Sequence, residues 1–382
     1  MSHVVLYTVA FMISLCLALT LTPLVIKLAY KVGAIDKPNH RKVHTKIMPR
    51  LGGLGIYGAF IGAYSAMQPF IPEGLFRSYD KNLINAMLTG GSMIVLIGVL
   101  DDRFELSAKF KLLGQIVAAC VVVFGFGVKI ELLNIPFGDA IHPVASWLSI
   151  PITILWIVGV TNAINLIDGL DGLAAGVSAI AIGTILVMAA VMGFAPVILL
   201  SLLLLGGVIG FLVYNFHPAK IFMGDTGSLF LGFGLATLSM LGFKQVTMVS
   251  FVTPLLIIGV PLSDTFFAIV RRWIHKKPIF APDKGHLHHC LRELGFSHRR
   301  TVLIIYAIAS FFGICAILQS TIVQSEAANW ISFGFILVVA FFLQIGAELI
   351  GIVDKSRRPL ISFLQRLLLR TDSRDRNNLP HL

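Results

Sequence analysis

Charge is what this chain has least of. Only 13% of its 382 residues are Asp, Glu, Lys or Arg, against about 25% in soluble domains, while 57% are hydrophobic and the mean hydropathy is +0.88. Cysteine is scarce too. Cys16, Cys120, Cys290 and Cys315 share no paired spacing, and three of them lie in apolar runs, which excludes a disulfide framework and a cysteine-based metal site. There is no repeat and no low-complexity segment. Acids are fewer than bases, 19 against 30, for a net charge of +11.

What is present is a series of apolar runs of about 20 residues, each enough to cross a bilayer as a helix. They are too long and continuous for barrel strands. The chain is therefore expected to be an all-α polytopic membrane protein with about eleven (10–11) transmembrane helices, near 4–26, 51–68, 84–100, 112–128, 147–163, 173–192, 196–214, 227–243, 249–271, 301–319 and 330–353. The first run has neither a preceding basic residue nor a small-residue cleavage site, so it reads as a membrane helix and not a removable signal. Odd parity puts the termini on opposite sides. One alternate set of connections holds 26 of the 30 Lys and Arg; the other holds Arg77, Lys81, Lys129 and Lys244. By the positive-inside rule the basic side is cytoplasmic, the amino terminus outside and the carboxy terminus inside. The positive charge is thus a topology signal, with attraction of anionic lipid or substrate as a second use, and no nucleic-acid partner is expected. Residues 1–353 read as one integral membrane domain. Residues 354–382 form a basic tail, which is either an interfacial amphipathic helix or a plain basic stop. The connection 129–146 has the alternation and turn residues of a short hairpin.

The polar residues that could carry chemistry fall on the basic side. Asn162-Ala-Ile-Asn-Leu-Ile-Asp-Gly-Leu-Asp-Gly172 puts Asp168 and Asp171 next to hydrocarbon, where a charge costs about 2.5–3.5 kcal/mol. In helical geometry Asn165 and Asp168, or Asp168 and Asp171, would be neighbours three apart on one face; packing between helices would suit the Asn but not two Asp. Asp101-Asp102 ends another apolar run, ahead of Glu105, Lys109 and Lys111. Adjacent carboxylates repel unless a cation lies between them, so a divalent ion bridging phosphate oxygens would suit the pair; a solvated helix end with a Glu105–Lys109 i,i+4 pair is the plainer account. Asp225, in Asn215-Phe-His-Pro-Ala-Lys-Ile-Phe-Met-Gly-Asp-Thr-Gly-Ser228, is either an N-cap, with Thr226 or Ser228 sharing the task, or a cation ligand at a helix start that attracts phosphate. Lys284-Gly-His286-Leu-His288-His289 lies in the largest basic loop and suits gripping phosphate; its spacing matches no closed zinc site well. Asp36-Lys-Pro through Lys46 to Pro49-Arg-Leu-Gly-Gly53 is a basic loop opening into a glycine-rich helix, suited to closing over an anion. Together these make a metal-bound diphosphate site beside lipid, and suggest phosphoryl transfer, where catalysis is mostly positioning and charge neutralisation.

Five ordered motifs on this topology resemble the polyprenyl-phosphate N-acetylhexosamine-1-phosphate transferase superfamily. They are Asp36-Lys-Pro with Pro49-Arg-Leu-Gly-Gly53, Asp101-Asp102 with Ser107-Ala-Lys-Phe-Lys111, Asn165 to Leu173, Asn215 to Leu229, and His286 to His289. The Asp36-Lys-Pro opening and the His-x-His-His loop are similar to the bacterial group that makes undecaprenyl-diphosphate-GlcNAc (the WecA and TagO type). The muramoyl-pentapeptide branch (MraY), which typically has a His-His-His cluster and a Thr-Pro-Thr-Met-Gly-Gly stretch, is the alternative.

The resemblance implies a bacterial plasma-membrane enzyme with its active site on the cytoplasmic face. It would transfer GlcNAc-1-phosphate from UDP-GlcNAc to undecaprenyl phosphate and release UMP, as the first membrane step of an envelope polysaccharide. It implies Mg²⁺, with Mn²⁺ as a substitute, on Asp225 with Asp101 or Asp102. Catalytic roles fall to Asp101, Asp102, Asp168, Asp171 and His288, and substrate binding to Lys46, Lys109, Asn165, Asn215, Lys284, His286 and His289. Family members suggest a homodimer. Asp101 is the family-type base, but a phosphate with a second pKa of about 6 is mostly dianionic at pH 7, so little base is needed. An Asp-linked covalent intermediate stays open beside direct transfer. From other classes, an ion or solute transporter would need polar residues reaching both faces, and the outer half is almost bare of them; a dead scaffold is disfavoured because every motif carboxylate is present.

Overall fold

A computed structural model describes residues 2–38, 47–130, 132–133, 142–241, 252–274, 276, 278, 285–322 and 334. The expected helix at 330–353 and the tail from 354 lie almost wholly outside these residues, as do Lys46 and Lys284.

Helices occupy the other ten expected runs. They are α1 (His3–Val32), α2 (Gly52–Met67), α3 (Ser78–Phe104), α4 (Ala108–Cys120), α5 (Ser146–Ile167), α6 (Leu173–Val191), α7 (Ala195–Asn215) and α8 (Gly224–Leu241), then α9 (Val252–Ile257) with α10 (Gly259–Ile274), and, beyond the short α11 (Leu287–Glu293), α12 (His298–Ile322). α4 continues into a single π turn, Val121–Gly125. The run 249–271 is thus two helices, broken at Ile258. Seven of these segments are long and apolar enough to cross a membrane: α1, most of α3, α4 with its π turn, α5, α6, α7 and α12. The protein is a multi-pass membrane protein. Two small antiparallel pairs complete the described elements. Ile35–Asp36 (β1) pairs with Met48–Pro49 (β2), and Leu132–Leu133 (β3) with His142–Pro143 (β4), the latter being the hairpin expected between α4 and α5.

The bundle is built around α8, which packs against α2, α3, α5, α6 and α7. Its side chains are buried along nearly the whole length, including Phe230, Phe233, Leu235 and Leu238. With no water to reach, its hydroxyls turn back on the helix: Ser228 Oγ donates to Gly224 O, Thr237 Oγ1 to Phe233 O and Ser239 Oγ to Ala236 O, the usual way a buried Ser or Thr is satisfied inside a helix. Backbones approach α8 where glycine removes the side chain. A Cβ on Gly98 of α3 would lie 2.6 Å from Thr226 N and 2.8 Å from Asp225 C, and one on Gly53 of α2 would run into the Gly227 backbone. Small residues at helix crossings in this way are what membrane bundles use in place of a hydrophobic drive.

Both contacts fall at one end of the bundle, where α3, α5 and α7 finish and α2, α6 and α8 begin. It is also the end that carries the basic connections. Gly98→Ala should push α3 off α8 and lower stability by about 2–3 kcal/mol, the upper range for overpacking. Thermal unfolding of the purified variant in detergent measures this.

Candidate active site

The start of α8 is held by a side chain from another helix. Asp102 Oδ1 accepts from Asp225 N at 2.9 Å, and Asp102 Oδ2 accepts from Thr226 N at 3.0 Å and Thr226 Oγ1 at 2.6 Å. A helix leaves its first N–H groups without partners, so the cap expected from Asp225, Thr226 or Ser228 is supplied instead by Asp102 at the end of α3. Gly224 makes room for it: its φ is +70°, and a Cβ there would collide with Arg50 O and the Asp102 carboxylate. Arg50 Nε lies 3.6 Å from Asp102 Oδ1. Its loop is tied down by Phe222 N donating to Pro49 O at 2.9 Å and Gly53 N donating to Met223 O at 2.9 Å. The Pro49-Arg-Leu-Gly-Gly53 stretch is thereby docked on the strand leading into α8.

Beside this cap three carboxylates converge. Asp101, Asp102 and Asp225 each place an oxygen within 4.8 Å of the others. Lys111 Nζ lies between two of them, 2.7 Å from Asp225 Oδ2 and 3.3 Å from Asp101 Oδ2. Lys111 is therefore the lysine of this segment that reaches the acids, while Lys109 is exposed on α4. α3 ends at Phe104, and Glu105 turns to a φ of +53°, so no helix runs through Glu105 and Lys109 to make the i,i+4 pair. From α5, Asn165 Nδ2 donates to Ser228 Oγ at 2.8 Å and also bonds the Asp225 carboxylate. Asp101 and Asp225 meet side chains and keep their oxygens off the backbone, whereas Asp102 spends its own on α8. An all-oxygen donor set of this kind suits a hard divalent cation.

Asp168 and Asp171 do not share a helix face. α5 stops at Ile167, Asp168 caps it, and Gly169 with Gly172 (φ +77°) turns the chain before α6 starts at Leu173. The turn sends the two acids to different neighbours. Asp168 feels Asp225, Asp102 and Arg50, and burial, followed by the Asp225 and Asp102 charges, pushes its pKa up to about 7. Asp171 Oδ2 accepts from Ala219 N at 3.1 Å and lies 2.7 Å from His217 Nδ1. The turn is anchored by Gly172 N donating to Asn215 Oδ1 at 3.1 Å and by Tyr306 Oη donating to Gly172 O at 2.5 Å; Asn215 in turn donates to Ile221 O at 2.9 Å. Asn215 therefore positions backbone from both sides of the site.

Asp171, His217 and His298 are chemically a metal-ligand set and lie close together. The rings of His217 and His298 are stacked, however, with centroids 4.1 Å apart and planes 18° from parallel. A metal binds an imidazole nitrogen in the ring plane at about 2.0–2.1 Å, and two stacked planes so nearly parallel meet far beyond that distance. This trio fastens α12 to the Asp turn.

The histidine loop arrives at the same end through a residue the sequence pattern did not single out. Asp264, buried in α10, lies with Oδ2 2.9 Å from His286 Nδ1 and accepts from Leu287 N through Oδ1 at 2.8 Å. It both orients His286 and caps α11. Applying to Leu262-Ser-Asp-Thr265 the cost of a lone acid in an apolar run would have found it. His288 is buried, its ring parallel to His286 at 5.9 Å and 4.2 Å from His289. It packs on the Asp turn where Gly169 has no side chain. Burial, then the neighbouring His289, pushes the His288 pKa down to about 3, so it is neutral near pH 7. Arg271 lies against Gly285, whose Cβ would strike its guanidinium. Of the residues picked from sequence, the structure thus brings together Asp101, Asp102, Asn165, Asp168 and Asp225 and sets the Asp171 and His286–His289 groups around them.

The glycosyl transferase family 4 model matches residues 84–243, from α3 to the end of α8 and so across all the motif carboxylates but Asp36. A Bacillus subtilis protein named "Probable undecaprenyl-phosphate N-acetylglucosaminyl 1-phosphate transferase" is 47% identical over 363 residues, covering 95% of this chain and 97% of that one. The chain belongs to glycosyl transferase family 4. This transferase is also 38% identical over 302 residues to the "Decaprenyl-phosphate N-acetylglucosaminephosphotransferase" of Mycobacterium tuberculosis, covering 73% of this chain and 74% of the relative. It is 30% identical over 385 residues to the "Undecaprenyl-phosphate alpha-N-acetylglucosaminyl 1-phosphate transferase" of Escherichia coli K12, with 93% of each covered. The superfamily read from the five motifs is the one these relatives represent.

Two outcomes follow from the transferase's geometry. Asp102→Asn turns an acceptor into a donor against the α8 N–H groups and should cost about 2 kcal/mol or more, as charged hydrogen bonds do, read as a lower melting temperature. His288 binds its proton more weakly folded than unfolded, so its share of stability is kept above about pH 6.5 and lost as pH falls towards 3. The slope is at most about 1.4 kcal/mol per pH unit, and the difference between wild type and His288→Gln across pH 5–7 measures it.

Proposed function

We propose that the protein transfers GlcNAc-1-phosphate from UDP-GlcNAc to undecaprenyl phosphate on the cytoplasmic face of a bacterial plasma membrane. The observation that carries this reading is the convergence of Asp101, Asp225 and Lys111 at the basic end of the bundle, in a family whose relatives are named undecaprenyl-phosphate N-acetylglucosaminyl 1-phosphate transferases. A phosphate oxygen of the lipid forms a bond to the β-phosphorus of the nucleotide sugar. The bond from that phosphorus to the bridging oxygen breaks, and UMP leaves with the electron pair.

Mg²⁺ or Mn²⁺ fits Asp225 and Asp101, whose oxygens are not spent on backbone; when bound, it would neutralise charge on the diphosphate. The chain's own residues do the rest. Asp102 fixes the α8 start and therefore the direction of Asp225. Asn165 braces Asp225 from α5. His286, His288 and His289, with Arg271 behind Gly285, present a donor-rich wall to phosphate, and Asp264 holds His286 with Nδ1 turned to the carboxylate. A dianionic lipid phosphate needs little help from a base, so positioning carries most of the rate.

Purified protein with Mg²⁺, undecaprenyl phosphate and a panel of UDP-sugars should release UMP with UDP-GlcNAc as the preferred donor. Asp225→Asn should unfold at the same temperature as wild type and lose at least about 10³-fold in that rate, the scale of removing a main electrostatic group. Turnover near wild type by this variant would sink the assignment of the metal to Asp225. Preference for UDP-MurNAc-pentapeptide would move the protein to the muramoyl-pentapeptide branch, and solute flux without a UDP-sugar would favour the transporter.

A further inference from the structure

Among the described residues, the acidic end of the site carries more carboxylates than the cations in contact with them balance. Asp101, Asp102, Asp168 and Asp225 face Arg50 and Lys111, which leaves two negative charges when all four acids are ionised, the charge of one divalent ion. The two cations are placed differently. Arg50 Nε is 3.6 Å from Asp102, on a loop pinned by backbone hydrogen bonds on both sides. Lys111 is on a flexible stem, and its ammonium makes its closest contacts with the two carboxylates that have oxygens to offer, 2.7 Å from Asp225 and 3.3 Å from Asp101. Its side chain is 24% exposed, so it has a way out. A lysine ammonium is a compact point charge that can take a small cation's place between carboxylates, whereas an arginine fork is suited to holding one partner in fixed geometry.

We propose that Lys111 is a resident counter-cation that a divalent metal must displace to reach Asp101 and Asp225. This rests on the reading that these acids take a divalent ion. While Lys111 is in place, two carboxylates 4.8 Å or less from one another are held together beside an apolar bundle without a metal. The same charge opposes a second cation, so the bare ion binds weakly. Entry becomes favourable when an anion accompanies the metal and gives the expelled ammonium a new partner. Lysine thereby makes the metal arrive with a diphosphate in preference to alone. Lys109, two residues earlier and exposed, has no part in this.

The test needs no turnover. Mn²⁺ binding to the nucleotide-free protein in detergent, followed by electron paramagnetic resonance, should be at least tenfold tighter in Lys111→Met than in wild type, weaker than wild type in Lys111→Arg, whose fork holds the carboxylates in place, and absent in Asp225→Asn. Lys111→Met should also melt lower than wild type without divalent ion and recover on adding Mn²⁺. In wild type, acylation of Lys111 by an amine reagent, read by peptide mass spectrometry, should rise on adding Mn²⁺, and this arm stands even where Lys111→Met does not fold. Equal or weaker Mn²⁺ binding by Lys111→Met, or no rise in Lys111 labelling while wild type binds Mn²⁺, overturns the displacement and leaves the metal reading standing. No Asp225-dependent Mn²⁺ binding in either protein overturns both.

Discussion

The Asp102 carboxylate on the first turn of α8 is the interaction on which the rest of the site depends. It joins the end of one buried helix to the start of another by three hydrogen bonds, in a place where unpaired N–H groups would cost several kcal/mol together. Because Asp102 is fixed, its neighbour Asp101 is fixed, and because the α8 start is fixed, so is Asp225. One polar contact between helices thus sets the separation of the two acids that have oxygens left to use. The glycines follow from it. Gly98, Gly224 and Gly53 lie where α3, the Arg50 loop and α2 come nearest to that turn, and any side chain there would open the contact.

This explains what the sequence could and could not reveal. Hydropathy found the helices because a membrane helix must satisfy its backbone internally and so writes its length in apolar residues. Asp101, Asp102, Asp168, Asp171 and Asp225 stood out because an acid beside hydrocarbon needs a reason. Their partners did not. That Asp102 caps α8 depends on a contact between residues 124 positions apart, and no spacing along the chain encodes it. Asp168 and Asp171 looked like helix neighbours because period counting has no way to see that Gly169 and Gly172 end the helix first. Between Lys109 and Lys111 the sequence offered no criterion; the turn at Glu105 decides which of them faces the acids. Asp264 was hidden for a different reason. It lies within the broken run of α9 and α10 and serves a loop more than twenty residues away, so in the sequence it reads as part of a span.

The two groups of histidines help to hold the polar end of the bundle together. His217 and His298 stack and share Asp171 between the α7–α8 connection and α12. His286 is tied to Asp264, and His288 is packed over Gly169. Each links a segment that enters late in the chain to the turn between α5 and α6. The motifs therefore lie far apart in sequence and adjacent in space, as expected when connections on one side of a membrane must build a site that no single helix can supply.

The balance of charge at this end constrains how such a site can work. Four acids in partly buried surroundings repel strongly, and burial moves Asp168 towards its neutral form near pH 7. A fold with more lysines and arginines there would be more stable and would bind no cation; one with fewer would not hold the carboxylates together. Arg50, on its pinned loop, and Lys111, on its long flexible stem, divide the task, the first serving the helix cap and the second pairing with Asp101 and Asp225. Stability and binding then draw on different cations, and on the proposed exchange only Lys111 has to move for a charged ligand to enter.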